Sequence, residues 1–110
     1  AVDYPHRLPS CRKRLDLAAA GKLSFYPPDE AAFPAMALCR EVMERGGNLG
    51  AAINGANEAA VAAFLREEIP FGEIYRRVER AARQTPFVQE PSLEDIYETD
   101  RLARAAAAKQ

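Results

Sequence analysis

The chain has 110 residues, of which 48% are hydrophobic and 28% charged, and its formal net charge is −1. This length fits one domain with a single hydrophobic core, and the near-neutral charge argues against a general polyanion binder. No apolar run approaches the roughly 20 residues of a membrane span, and no charged-then-apolar leader is recognisable.

Two cysteines, Cys11 and Cys39, stand in unrelated sequence contexts and form no CxxC motif or Cys/His cluster. A zinc site is therefore not expected. The pair leaves one disulfide open, but so low a cysteine content favours a reduced, cytosolic protein.

The first 28 residues are rich in proline, which biases each preceding residue towards extended geometry. The prolines are Pro5, Pro9, Pro27 and Pro28. Between them lie a short helix-compatible stretch, a break at Gly21 and a candidate short strand over Leu23–Tyr26. Residues 1–28 are thus predicted to form a connector that is mostly extended.

From Asp29 onwards the sequence is rich in Ala, Arg and Glu, which favours helices. Four helices are predicted: from Asp29 or as late as Phe33 to Arg45, from Asn48 to Glu68, from Phe71 to Arg83, and from Ser92 into a fraying tail. Short links between them indicate an antiparallel bundle. The predicted fold class is mainly α, a small four-helix bundle over residues 29–110 preceded by the extended, proline-rich connector.

Local signals set these helix ends. Two consecutive glycines, Gly46 and Gly47, stop the first helix, Asn48 is a good cap for the second, and Pro70 breaks the chain before the third. In the third helix, Arg77 is assigned to the exposed face, four residues after Glu73.

The stretch INGANEAAVAAF, residues 53–64, places Asn54, Asn57 and Glu58 in an otherwise apolar helix. At helical spacing Asn57 interrupts the apolar stripe of Ile53 and Phe64, so we expect it to be buried. A structural polar cluster, with amides bridging to backbone groups, is one interpretation. Substrate binding, or acid–base chemistry at Glu58, is the other. The structural interpretation is favoured because no nucleophile, histidine or metal-ligand cluster accompanies the group.

The remaining candidates are weaker. His6 is the sole histidine and cannot form a triad or a metal site alone. The basic run Arg12–Arg14, with Arg7 nearby, could contact phosphate or an acidic partner, but runs this short are usually solvated. No nucleotide-binding, nucleophile-elbow or metalloprotease motif occurs. No catalytic, cofactor-binding or metal-binding residue is therefore predicted.

Several stretches in order resemble the C-terminal part of the 1-deoxy-D-xylulose 5-phosphate reductoisomerase family. They are YPHRLP, LDLAAAGKLSFYPPD, FPAMALCREVMERGG, INGANEAAVAAFL, IPFGEI and PSLEDIYETDRLAR, which together cover nearly the whole chain. Asn54–Glu58 is the most specific part. The chain departs from the family pattern at Gly55, where alanine is usual, at His6, where an acidic residue is common, and in its more basic connector.

The resemblance implies a parent enzyme of the non-mevalonate isoprenoid pathway. Such an enzyme converts 1-deoxy-D-xylulose 5-phosphate to 2-C-methyl-D-erythritol 4-phosphate with NADPH and Mg²⁺ or Mn²⁺. It also implies upstream dinucleotide-binding and catalytic domains as partners, a homodimeric parent, and a cytoplasmic location, or a plastid in plants and algae. The family's functional residues lie upstream, so none is carried onto this chain.

Three hypotheses follow. The leading one is a C-terminal structural domain that has no activity alone and supports the upstream domains by packing, with no nucleic-acid or membrane partner. The alternative is a stand-alone helical protein-interaction module. The weakest is nucleic-acid binding through Arg7 and Arg12–Arg14.

Overall fold

The computed structural model describes residues 2–109, which contain five α-helices and no strand. The helices are α1 (Leu17–Ala20), α2 (Ala35–Arg45), α3 (Leu49–Leu65), α4 (Phe71–Gln84) and α5 (Leu93–Ala108). The predicted mainly α fold is confirmed. Residues 2–33 are exposed throughout, and α1 is a single turn within them.

Helices α3, α4 and α5 pack against one another and enclose a core made largely of alanine. The fully buried members are Ala56, Ala60, Ala81, Ala103 and Ala107, each with 0% exposure. Because a methyl side chain keeps neighbouring backbones close, alanine at these positions allows the three helices to approach tightly. Bulkier buried side chains complete this core, among them Ile69 and Val78.

Helix α2 is peripheral and makes far less contact with α3 than α4 and α5 do. Its one buried residue is Leu38, at 4% exposure. Farther along α2, Cγ1 of Val42 lies 3.6 Å from the position that a Cβ on Gly50 would take. Since α2 covers so little of α3, the C-terminal half of α3 keeps an open face.

The helix ends follow local chemistry. Helix α2 begins at Ala35, later than predicted, because the Asp29 carboxylate accepts from the N–H groups of Ala31 and Ala32 and so caps a separate turn, at 3.1 and 3.0 Å. Helix α5 begins with a capping box, in which the backbone N–H of Asp95 donates to Oγ of Ser92 and that of Ser92 donates to Oδ2 of Asp95.

The loop that joins α4 to α5 lies against the turn between α2 and α3. Gly47 has a φ of +59°, and a Cβ there would lie 2.4 Å from the carbonyl oxygen of Val88 and 2.9 Å from the Phe87 ring. A side chain at this position would therefore separate the turn from the loop.

None of the helices between residues 2 and 109 combines the length and the apolar character that crossing a bilayer requires.

Candidate functional site

The predicted polar cluster lies on the open face of α3. Asn54, Asn57 and Glu58 are all exposed, and Nδ2 of Asn54 donates to Oε1 of Glu58 at 3.3 Å. The expected burial of Asn57, and the expected bridging of these amides to backbone groups, are therefore wrong for this chain. Helix α2 makes little contact with α3, and these positions stay exposed. A structural role for the cluster stays a prediction.

Within the cluster, Glu58 joins α3 to α5. Nη2 of Arg104 donates to Oε2 of Glu58 at 2.5 Å, and Nε of Arg104 donates to Oδ2 of Asp100 at 2.7 Å. The hydrogen bond from Arg104 lowers the pKa of Glu58. All three side chains are more than a third exposed, so solvent weakens this network.

Helix α5 approaches α3 closely beside this network. A Cβ on Gly55 would lie 2.5 Å from Oδ1 of Asp100 and 3.2 Å from its backbone oxygen. The glycine that departs from the family pattern therefore stands where the Asp100 carboxylate occupies the space of a methyl group.

The buried asparagine of the chain is Asn48, at 2% exposure. Its Nδ2 donates to the carbonyl of Pro86 and to Oγ1 of Thr99, both at 2.8 Å, and its Oδ1 accepts from the N–H of Val88 at 2.8 Å. Its side chain makes no capping bond, although the sequence indicated only a cap. Asn48 thus fixes the start of α3 to the 85–92 loop and to α5.

Arg77 is the second polar residue that sequence reasoning misplaced. It is 7% exposed instead of lying on the solvent face, and Glu73 pairs with Arg76 at 3.7 Å instead. Nη1 of Arg77 donates to the carbonyl of Ala107 at 3.0 Å, where the last turn of α5 has no basic residue of its own. A cation at that end satisfies carbonyls that lack helical partners and interacts favourably with the helix dipole.

A cavity of about 290 Å³ lies between α2, the start of α3 and the end of α4. At its edge the Arg45 guanidinium sits 4.5 Å from the centre of the Phe87 ring. Arg45 and Arg83 both donate to Oε1 of Glu41, at 2.7 and 2.6 Å, and these hydrogen bonds lower the pKa of Glu41 to about 2. The cavity lining contains no carboxylate, histidine or cysteine that could act on a substrate.

The other candidates lie apart from one another. His6, Arg7 and Arg12–Arg14 are exposed in the connector, and Cys11 and Cys39 are both free and exposed. Among residues 2–109, no group of three or more histidine, cysteine or acidic side chains is arranged to hold a metal ion.

The geometry therefore defines a helical packing domain, whose buried polar side chains bond to neighbouring helices and loops. The family model of the DXP reductoisomerase C-terminal domain matches residues 1–106, so the chain belongs to that family and the sequence resemblance is confirmed.

Individual relatives of the same family are also similar in sequence. The 1-deoxy-D-xylulose 5-phosphate reductoisomerase of Halothermothrix orenii is 42% identical over 106 residues, which make up 96% of this chain and 28% of that protein. The one from a Synechococcus strain is 45% identical over 94% of this chain and 26% of its own length. This chain therefore spans little more than a quarter of the relatives it matches.

A solved structure shows the same fold. The 1-deoxy-D-xylulose 5-phosphate reductoisomerase from Zymomonas mobilis, in complex with NADPH, superposes with a TM-score of 0.81 at 36% identity. The superposition covers 97% of this chain and 28% of that one.

Proposed function

We propose that this chain is the C-terminal structural domain of a longer enzyme that reduces and rearranges 1-deoxy-D-xylulose 5-phosphate with NADPH, in isoprenoid biosynthesis. The family match over residues 1–106 and the NADPH complex of the Zymomonas relative support this assignment. The chemistry is assigned to the part of the parent that precedes this domain.

One observation carries the proposal: the destination of the buried polar groups. Asn48, Arg77 and Thr99 are the buried polar side chains among the described residues, and the first two bond to the protein's own backbone carbonyls. Every polar atom of the Asn48 side chain is bonded within the fold, whereas the buried Nε of Arg77 has no hydrogen-bond partner among residues 2–109 and only Nη1 bonds to carbonyls. Buried polar groups that bond to the backbone hold helices in place.

The proposal includes the organisation of the parent enzyme. Residues 1–28 act as the connector and residues 29–110 as the helical domain, which packs on the upstream catalytic and dinucleotide-binding domains. The divalent cation, Mg²⁺ or Mn²⁺, is held upstream, and the parent is a homodimer of the bacterial cytoplasm or of a plastid. Neither nucleic acid nor a membrane is a partner.

The test compares the full-length enzyme, the 110-residue chain and the enzyme without this chain. Each is assayed for NADPH oxidation with 1-deoxy-D-xylulose 5-phosphate and Mg²⁺. We expect turnover from the full-length enzyme, none from the 110-residue chain, and a loss of activity or of soluble protein on truncation. Turnover by the 110-residue chain would refute the assignment, and a truncated enzyme of full activity and stability would favour the stand-alone interaction module.

A further inference from the structure

Residues 22–26, KLSFY, carry the pattern of a short strand but are not in a strand. The segment has no regular secondary structure and is exposed, with Leu23 at 59%, Phe25 at 87% and Tyr26 at 83%. Neighbouring aromatic and aliphatic side chains at such exposure indicate a surface that another element covers.

The main chain of this segment has no partner of its own either. Among residues 2–109, no hydrogen bond uses a backbone N–H or C=O of residues 22–28. The N–H of Gly21 donates to the carbonyl of Leu17 and closes α1, so the run of unbonded backbone groups begins directly after Gly21. A strand needs a neighbouring strand to bond with, and the helices packed in this domain have already satisfied their backbone groups internally.

The ends of the segment fit a strand of limited length. Gly21, at φ +74°, turns the chain out of α1, and Pro27 lacks the N–H that a longer ladder would need. Within it, Leu23 and Phe25 point to one side of an extended chain and Ser24 and Tyr26 to the other. An unpaired stretch of this kind, left open, would invite aggregation.

We propose that residues 22–26 add as an edge strand to a β-sheet in the part of the parent chain that precedes this domain. The inference rests on the proposed function, because it requires a longer parent. Main-chain hydrogen bonds would then fix the connector, and with it the helical domain, to the catalytic part, while side chains on alternate positions select the register.

Chain continuity favours a sheet in the preceding part of the same parent chain over a sheet in a second molecule. This chain corresponds to only 28% of the Zymomonas relative, and the family model identifies the matched part as the C-terminal domain. The rest of such a parent therefore precedes residue 1, about 20 residues from the segment. A tether of that length holds the two at an effective concentration in the millimolar range, far above that of a second molecule in dilute solution.

The decisive measurement is hydrogen exchange at single-amide resolution, in the full-length enzyme and in the 110-residue chain. In an edge strand, alternate residues direct their N–H groups towards the neighbouring strand. We therefore expect either Leu23 and Phe25, or Lys22, Ser24 and Tyr26, to exchange about tenfold or more slowly in the full-length enzyme, with the other set fast. Exchange that is equally fast at all five, or equally slow at all five, would overturn the proposal.

Substitutions separate backbone pairing from side-chain packing. In the full-length enzyme, whichever of Ser24→Pro and Phe25→Pro falls in the protected set of amides should lower the thermal midpoint, and the other should have a smaller effect, because an edge strand tolerates proline where the N–H faces away from the sheet. Ser24→Ala, and Lys13→Pro elsewhere in the connector, are the matched controls and should leave the midpoint unchanged. Tolerated prolines, with damage only from Leu23→Ala and Phe25→Ala, would overturn strand addition.

The outcomes also separate this inference from the proposed function. Alternating protection in a full-length protein without reductoisomerase turnover would support the strand and refute the enzyme assignment. Turnover without alternating protection would support the enzyme assignment and refute the strand. The same alternation in the 110-residue chain, together with dimerisation, would show pairing between two copies and overturn the upstream occupant.

Discussion

Every hydrogen-bonding group of the Asn48 side-chain amide has a partner inside the fold. Both Nδ2 hydrogens and the Oδ1 oxygen have partners at 2.8 Å, and the backbone N–H donates to the carbonyl of Val88 at 3.0 Å. Those partners come from the 85–92 loop and from α5. One side chain therefore joins three segments that are far apart in sequence.

Asn48→Ala should destabilise the domain strongly. It removes three hydrogen bonds and leaves the buried Thr99 hydroxyl and two partly buried backbone groups without this partner, so we expect a loss of about 2–4 kcal/mol in the free energy of unfolding. Urea denaturation measures it. The control is Asn54→Ala on the same helix, whose exposed amide has one bond at 3.3 Å, and which should stay within about 0.5 kcal/mol of the wild type. Equal losses in the two variants would contradict the role given to Asn48.

Arg77→Ala is the second prediction at the scale of single residues. It leaves the carbonyl of Ala107 without a donor and removes a cation from the C-terminal end of α5, so we expect a loss of about 1.5–3 kcal/mol. The neighbouring Arg76 is exposed and reaches Glu73 only at 3.7 Å, which makes Arg76→Ala the matched control, with an effect within about 0.5 kcal/mol. Equal losses in the free energy of unfolding for the two variants, measured by denaturation, would show that the burial of Arg77 contributes little to stability.

Among pairs of helices, the approach of α5 to α3 depends on Gly55. Alanine there would gain up to about 1 kcal/mol of helix propensity, but its methyl group would meet Oδ1 of Asp100 at 2.5 Å. We expect Gly55→Ala to be more favourable in an Asp100→Ala background than alone, by about 0.5–1 kcal/mol.

A double-mutant cycle measured by denaturation tests this coupling. Gly72→Ala serves as the control, because a Cβ at Gly72 meets no atom within 4 Å and only helix propensity changes. Additive effects of the substitutions at positions 55 and 100 would show that the close contact relaxes without cost.

The ion pairs around Glu41 make the attachment of α2 dependent on pH. Hydrogen bonds from Arg83 and Arg45 lower the pKa of Glu41 from 4.5 to about 2. Its contribution to stability is therefore present above the unfolded pKa of 4.5 and is lost as the pH falls towards 2, since the unfolded chain takes up the proton first.

We expect Glu41→Gln to reduce the loss of stability between pH 5 and pH 2. Unfolding followed by urea at several pH values, at low salt, measures the slope for both proteins. Glu44→Gln, on the exposed side of the same helix, is the control and should leave a larger slope. Parallel slopes for the wild type and Glu41→Gln would contradict the pairing.

The helices were predictable where local chemistry sets them. Gly46 and Gly47, Pro70, and the Ser92–Asp95 capping box act within a few residues of themselves, so the ends of α3, α4 and α5 fell close to their predicted positions. The start of α2 was missed because Asp29 can cap either a helix or an isolated turn, and only the structure distinguishes the two.

The buried polar groups were not predictable from spacing. Asn48 finds partners at residues 86, 88 and 99, and Arg77 at residue 107, so their burial depends on contacts that helical periodicity does not describe. Asn57 shows the converse, because its apolar neighbours predicted burial but it is exposed, and α2 makes little contact with α3. Long-range packing decides all three cases.

At the scale of the whole molecule, the chain divides into a helical domain with a buried core and a connector whose described side chains are all exposed. Every residue from 2 to 33 is exposed, and the first buried side chain along the chain is that of Leu38. The apolar connector side chains therefore contribute to this domain's own stability only weakly.

Deleting residues 1–28 should consequently leave the unfolding free energy of the helical domain unchanged within about 0.5 kcal/mol. Deleting residues 1–38 should cost about 1.5–3 kcal/mol, because it also removes the buried side chain of Leu38, at 4% exposure, and the first turn of α2. Urea denaturation followed by far-ultraviolet circular dichroism compares the two shortened chains with the 110-residue chain. A large loss from the shorter deletion would show that the connector packs on the bundle in solution, and would contradict the division of the chain at residue 28.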